Sequence, residues 1–363
     1  MPLLDSTNEA DVDVDQVSKM VDMFLGKGFT YFDTAWMYHD FNSENVVKKV
    51  LTDRYPRDRY TLATKLHADY IKTKKDRDKV FNEQLKKTGV EYFDYYLLHG
   101  IDKELLETYE KLDCFNWIID KQKAGLVKHI GFSFHDSPEL LEKLLKEHPE
   151  MEFVQLQINY LDWESEWVQS KKCYDLAVKY GKLVTVMEPV RGGTLAKVPS
   201  DVEKLFKERE PEMSIPSWAI RFVASLDNVM LVLSGMSSIE QMEDNTSYME
   251  DFKPLTDDEF NLCLKAGKMI ISNIAIPCTG CSYCTSGCPM HISIPKYFRL
   301  YNENTFDDLE DPDWSLEYND YPELLDGDSG RADDCLACGH CESVCPQHLP
   351  IIENLKKIAP HFE

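Results

Sequence analysis

The chain has no uninterrupted apolar run near the roughly 18 residues that a membrane span requires. Its opening residues, Met-Pro-Leu-Leu-Asp-Ser-Thr-Asn-Glu-Ala-Asp, are acidic where a secretory signal is basic and then apolar. A cytoplasmic protein with no membrane span is expected. Basic residues are in deficit as well: 40 Lys and Arg stand against 64 Asp and Glu, a formal charge of −24 over 363 residues. Phosphate recognition needs clustered cations, so nucleic acid is excluded as a partner, and small molecules or basic proteins remain. The sequence also lacks a G-x-G-x-x-G turn, the signature of an open dinucleotide-binding sheet, and any recognisable flavin motif.

Cysteine, by contrast, is abundant and concentrated. Eight of eleven fall in two copies of C-x2-C-x2-C-x3-C-P: Cys278, Cys281, Cys284, Cys288 with Pro289, and Cys335, Cys338, Cys341, Cys345 with Pro346. Disulfides are disfavoured in a long intracellular chain, where grouped thiols bind metal. Zinc sites pair two C-x2-C knuckles across a longer spacer, a pattern that differs from three cysteines at i, i+3 and i+6. The run resembles that of bacterial two-cluster ferredoxins. The resemblance implies two 4Fe-4S clusters, with three thiolates of each run on one cluster and the fourth on the neighbour's. Cys114, Cys173 and Cys263 have no close cysteine neighbours and read as small buried apolar residues.

Between residues 14 and 252 helix and strand patterns alternate. Val17, Met20, Val21, Phe24 and Leu25 form one helical face stopped near Gly26 and Gly28. Strands are predicted at Phe29–Asp33, Tyr60–Thr64, Tyr92–His99, Lys128–Phe134, Glu152–Ile158, Leu183–Glu188 and Val229–Ser234. Alternation at about thirty-residue intervals means parallel β-α-β units. Asp33, Lys65, His99, Ser133 and Asn159 each sit at or just past the end of a different strand, which selects a (β/α)8 barrel over an open sheet. The barrel is assigned to residues 1–253. A small α-rich, two-cluster ferredoxin-like domain is assigned to residues 254–363, interrupted by an acidic insert at 303–334 whose only basic residue is Arg331. That insert reads as a solvated loop or as a docking face for a basic redox protein.

Asp33-Thr-Ala-Trp-Met-Tyr38, Ala63-Thr-Lys65, Leu97-Leu-His99 and Gly131-Phe-Ser133 together resemble the aldo-keto reductase pattern. The resemblance implies a catalytic tetrad of Asp33, Tyr38, Lys65 and His99. Tyr38 would donate the proton, Lys65 would stabilise the phenolate, Asp33 would hold the lysine, and His99 would orient the carbonyl. It also implies that Gln155 and Ser133 bind a nicotinamide amide, with Asn159 and Met187 beside them. Ser234, Gly235, Gln241 and Asn245 then form an adenosine-phosphate site. The asparagine that often follows the serine is Phe134 here, and Met187 stands where the family commonly places a stacking tyrosine.

An NAD(P)H-dependent oxidoreductase acting on a small carbonyl or alcohol is therefore expected, its clusters linking it to an electron partner or serving structurally. The alternative is a non-catalytic electron-transfer or redox-sensing protein with a nicotinamide-binding barrel. NAD(H) is preferred because the stretch from Ser234 to Asn245 has no Lys or Arg and carries Glu240, Glu243 and Asp244. The first helix begins within about fifteen residues of Met1, so either the barrel lacks a complete first strand or the chain starts inside a longer one.

Overall fold

The computed structural model describes the chain except residues 5–7, 9, 166, 167, 279, 281, 286, 308–323, 325–328, 346 and 363. It divides into two compact units, Met1–Lys197 with Glu212–Leu264, and Val198–Pro211 with Lys265–Glu363.

The first unit is built on seven strands, β1 (Tyr31–Asp33), β2 (Thr61–His67), β3 (Phe93–Ile101), β4 (Val127–Phe134), β5 (Phe153–Gln157), β6 (Leu183–Met187) and β7 (Val229–Val232). All pair in parallel and in chain order, giving a curled sheet. Each strand expected from the pattern is present. β2 runs three residues further than predicted, because Lys65, Leu66 and His67 pair with Leu97, Leu98 and His99. Among the described strands β1 and β7 are edges that do not pair with each other. Among the described residues this is a barrel-like sheet of seven strands, with none ahead of the first helix; the segment before it contributes one isolated bridge, Leu3 to Val12.

Helix α1 (Val14–Gly26) precedes β1, and α2 (Ser43–Val47), α3 (Lys74–Thr88), α4 (Lys103–Lys111), α5 (Cys114–Lys123), α6 (Pro138–Glu147) and α7 (Ser170–Lys179) follow one another between the strands. Their boundaries are set locally. Asp13 caps α1 by accepting from the Gln16 N–H at 2.9 Å, and Val17, Met20, Val21 and Leu25 form its buried face. A reciprocal capping box of Thr73 and Asp76 opens α3. Its end falls at Gly89, whose φ of +70° suits a residue without a Cβ. At the amino end of the strands the buried Asp94 accepts from the Leu62 N–H and from Lys128, both within 2.9 Å, and from Arg57. Three partners offset the cost of burying that carboxylate and tie β2 to β3.

In chain order there follow α8 (Ser200–Arg209) in the second unit, α9 (Ile215–Ala224) and α10 (Ile239–Met249) in the first, and α11 (Asp257–Asn273). The second unit continues with α12 (Ile294–Asp307), α13 (His340–Ser343) and α14 (Ile351–Ile358). Ile276, Tyr297, Phe298, Leu355 and Ile358 are buried with Cys284, Cys341 and Cys345 in one apolar cluster, so the thiols belong to the core of this unit. The acidic insert falls largely outside the described residues. None of the described helices is long and apolar enough to cross a membrane.

Candidate active site and cluster sites

Three neighbouring strands and one loop bring the four predicted catalytic residues together. Asp33 ends β1, Lys65 lies within β2 and His99 near the end of β3, so their order across the sheet is the order in the chain. The Lys65 ammonium donates to Asp33 and, at 2.8 Å, to the Thr34 carbonyl. It lies 4.9 Å from the centre of the Tyr38 ring. The Tyr38 hydroxyl is 3.4 Å from His99 Nε2. Lys65 is fully buried while Tyr38 is 37 % exposed, which leaves the phenol as the member of the group that an incoming molecule can reach.

Electrostatics assigns each group its charge. Burial works against the Lys65 ammonium, but Asp33 and then Tyr38 outweigh it and hold the lysine above its ordinary pKa. Burial also raises the Asp33 carboxyl, and the ammonium beside it opposes that rise. With its pKa raised, Lys65 carries its charge, and its hydrogen bonds to Asp33 and the Thr34 carbonyl suit an ammonium. His99 is pushed well below its ordinary pKa by burial and then by Lys65, His67 and His135, so it is neutral. The β3–β4 register shifts between Leu98 and Ile101, at His99 and Gly100. Such a bulge re-aims a side chain at the end of a strand. Gly100 supplies the left-handed residue there, at φ +68°.

Directly after Tyr38, three non-glycine residues in a row, His39, Asp40 and Phe41, have φ of 55°, 48° and 62°. Each costs on the order of 1 kcal/mol. A left-handed turn thus leads the chain from the tyrosine into α2, and no glycine marked it in the sequence.

Among the residues expected to bind a cofactor, Ser133 and Gln155 are register neighbours on β4 and β5. Ser133 Oγ accepts from the Gly100 N–H at 2.7 Å. Gln155 Nε2 reaches Met187 Sδ at 3.4 Å, while its Oε1 is buried without a partner, an acceptor suited to an amide N–H such as that of nicotinamide. Asn159 is differently placed. Its nitrogen donates to Asp162 and to the Glu188 carbonyl, and its oxygen accepts from the Leu161 and Asp162 N–H groups. Its amide therefore ties the loop after β5 to the turn after β6, at the carboxyl ends of the strands. Asn245 donates to Ser234 Oγ at 3.1 Å, and Gln241 accepts from the Ser237 N–H at 2.7 Å, so these residues and Gly235 gather at the Ser238-capped start of α10.

Two features escaped the sequence reading. Glu188, Arg191, Gly192 and Gly193 all have positive φ, a turn of the kind that can aim successive N–H groups at an anion, and Asp162 anchors it by pairing with Arg191 at 3.2 Å. Its signal was the Gly-Gly pair. The other is a buried polar network behind Lys65, made by Glu44, Thr64, Gln84 and Tyr96. Such residues look like ordinary helix and strand surface until tertiary structure covers them.

In the second unit, two small cavities are lined mainly by cysteine and apolar side chains. Cys278, Cys284 and Cys345 border the first, and Cys288, Cys335, Cys338 and Cys341 the second. Each cavity therefore draws on both runs. The Gly280 N–H donates to Cys278 Sγ at 3.4 Å, as an amide does towards a thiolate ligand. Cys281 lies outside the described residues. The three remaining cysteines are buried in the first unit, where burial pushes the Cys114 and Cys173 thiols up to about 11 and about 12. Those thiols are inert, as expected for apolar core positions.

A curled parallel sheet carrying its polar residues at the carboxyl ends of successive strands, followed by a cysteine-lined unit, defines a barrel oxidoreductase joined to an iron–sulfur domain. The chain belongs to the aldo/keto reductase family, whose profile matches residues 4–268, and residues 277–349 match a 4Fe-4S dicluster domain. It is 23% identical over 174 residues to aldo-keto reductase AKR2E4 of Bombyx mori, an alignment covering 46% of this chain and 55% of that one. The chain thus spans about half the length of that curated relative. Among solved structures it resembles the holo form of aldo-keto reductase AKR11C1 from Bacillus halodurans (TM-score 0.56, 24% identity, 70% of this chain and 88% of that one). It also resembles an aldo-keto reductase from Klebsiella pneumoniae in complex with NADPH (TM-score 0.55, 20% identity, 71% and 85%).

Proposed function

We propose that the barrel reduces a small carbonyl compound, or oxidises the corresponding alcohol, with Tyr38 as the proton donor and acceptor. The observation that carries this reading is the contact set around Tyr38, with a buried ammonium 4.9 Å from its ring and His99 Nε2 3.4 Å from its hydroxyl. A carbonyl that accepts hydride gathers negative charge on its oxygen and needs a proton there. Tyr38 supplies that proton, and Lys65 stabilises the phenolate left behind. Neutral His99 donates to the carbonyl oxygen from Nε2 and orients it. A nicotinamide bound by Ser133 and Gln155 would supply the hydride, so that one hydride and one proton convert the carbonyl to the alcohol. NAD(H) is the preferred form, because the stretch from Ser234 to Asn245 offers no cation to a 2′-phosphate.

Eight cysteines hold two 4Fe-4S clusters in this proposal. Cys278, Cys281 and Cys284 ligate one, completed by Cys345, while Cys335, Cys338 and Cys341 ligate the other, completed by Cys288. The two cavities, each bordered by thiols of both runs, support the exchange of fourth ligands. A basic redox protein is the proposed partner and the cytoplasm the proposed location. The test is nicotinamide turnover with a panel of aldehydes and quinones, comparing the parent with Tyr38→Phe. Turnover that is lost in the variant supports the reading; cluster reduction by nicotinamide with no carbonyl turnover in either protein favours a non-catalytic electron carrier.

A further inference from the structure

The catalytic residues face the inside of the curled sheet, and the other side of β1 and β2 is covered by the first turn of α2. That turn is Ser43-Glu44, and both side chains are buried. The Ser43 N–H donates to the Tyr38 carbonyl at 3.0 Å. Ser43 Oγ lies 2.8 Å from Thr34 Oγ1, and Thr34 is the residue whose carbonyl accepts from Lys65. Glu44 Oε1 accepts from Thr64 Oγ1 at 2.7 Å and from Gln84 Nε2 at 2.9 Å. Gln84 Nε2 also donates to the Lys65 carbonyl at 3.0 Å, and its Oε1 accepts from the Tyr96 hydroxyl. Thr34, Thr64, Gln84 and Tyr96 are all fully buried.

Two adjacent residues therefore hold the main chain of Tyr38, the residue after Asp33, and the residue before Lys65. A buried carboxyl with one oxygen unpartnered is a costly way to fill that space, since apolar side chains of similar shape would pack there without desolvation. What the polar groups add is direction, because a hydrogen bond fixes both distance and angle. We propose that Ser43 and Glu44, acting through Thr34, Thr64 and Gln84, form a positioning unit that sets Tyr38, Asp33 and Lys65 relative to one another. The inference rests on the proposed carbonyl chemistry, in which the ammonium must sit within a narrow distance of the phenol. Displacing such a pair by an ångström costs about 100-fold in rate.

The test uses the full chain with Gln84→Met, which removes the donor to Lys65 and Glu44, and Thr64→Val, a smaller change should the first variant not fold. Either should lower kcat by about 100-fold with KM for the carbonyl nearly unchanged. Glu44→Gln, which keeps an acceptor oxygen in place, should retain most of the rate, whereas Glu44→Leu should not. Crystal structures of the parent and of each variant read the placement of Tyr38 against Lys65 without any turnover. A Gln84→Met or Thr64→Val protein in which Tyr38, Asp33 and Lys65 sit as in the parent overturns the positioning unit. So does one whose lost activity follows only a lower melting temperature. Displaced side chains in the variants of a parent that turns over no carbonyl sink the proposed reaction and leave the positioning unit supported.

Discussion

In the barrel unit Asp33, Tyr38, Lys65 and His99 come from three strands and a loop, whereas in the second unit the thiols come from two short runs wrapped around two cavities. The barrel site is supported by hydrogen bonds to main chain, so its geometry exists before any ligand arrives. The cysteine unit is small, its described core includes its own thiols, and a bound cluster would contribute directly to its folding. The two sites should therefore fail differently. A change in the barrel site should alter rate and leave the fold alone; a change at a cysteine should alter the fold of its unit and leave the barrel alone.

The sharpest break is Tyr38→Phe. It removes the proton donor, so kcat for carbonyl reduction should fall by about 10²- to 10⁴-fold, with iron and sulfide content unchanged. Steady-state kinetics alongside metal analysis reads both halves. The next is Cys288→Ala, expected to lose the cluster bound by Cys335, Cys338 and Cys341 and so about half of an iron content near eight per chain. Nicotinamide affinity at the barrel should stay within about two-fold of the parent. Iron assay, electron paramagnetic resonance and a cofactor titration together decide it; loss of the other cluster first would show that each run completes its own.

A smaller effect concerns cofactor choice. NAD(H) should bind about ten-fold more tightly than NADP(H), which meets Glu240, Glu243 and Asp244 and no cation in its stretch. Fluorescence titration with the two reduced cofactors measures the ratio, and a reversed order would mean that a basic residue from another segment reaches the phosphate. The smallest expected effect is on acid stability. Burial holds His99 well below its unfolded value of 6.5, and burial lowers His67 and His135 as well. The unfolded chain then binds protons that the folded chain refuses, so stability is complete above about pH 6.5 and falls as pH drops below it. Denaturant midpoints at about pH 7.5 and about pH 5.5 should show this loss. It should be shallower in His99→Gln, and an equal slope in parent and variant would assign the acid lability to other groups.

Much of this was legible in the sequence. Helix-strand alternation placed all seven strands, because parallel units buried on both sides need apolar runs separated by amphipathic helices. The duplicated cysteine run pointed to an iron–sulfur domain through its resemblance to two-cluster ferredoxins, and residues 277–349 match such a domain. The order of Asp33, Lys65 and His99 along the chain became their order across the sheet. Tertiary structure decided the rest. Asn159 sits at a strand end like the others, and its amide joins Asp162 to the Glu188 carbonyl of the turn after β6, because hydrogen-bond partners depend on chain paths that no local pattern fixes. The left-handed turn of His39, Asp40 and Phe41 carries no glycine, so only the contacts on either side of it hold it in place. Glu44 and Gln84 look like surface residues of two helices, and become interior groups beneath Lys65 only when those helices close over β2.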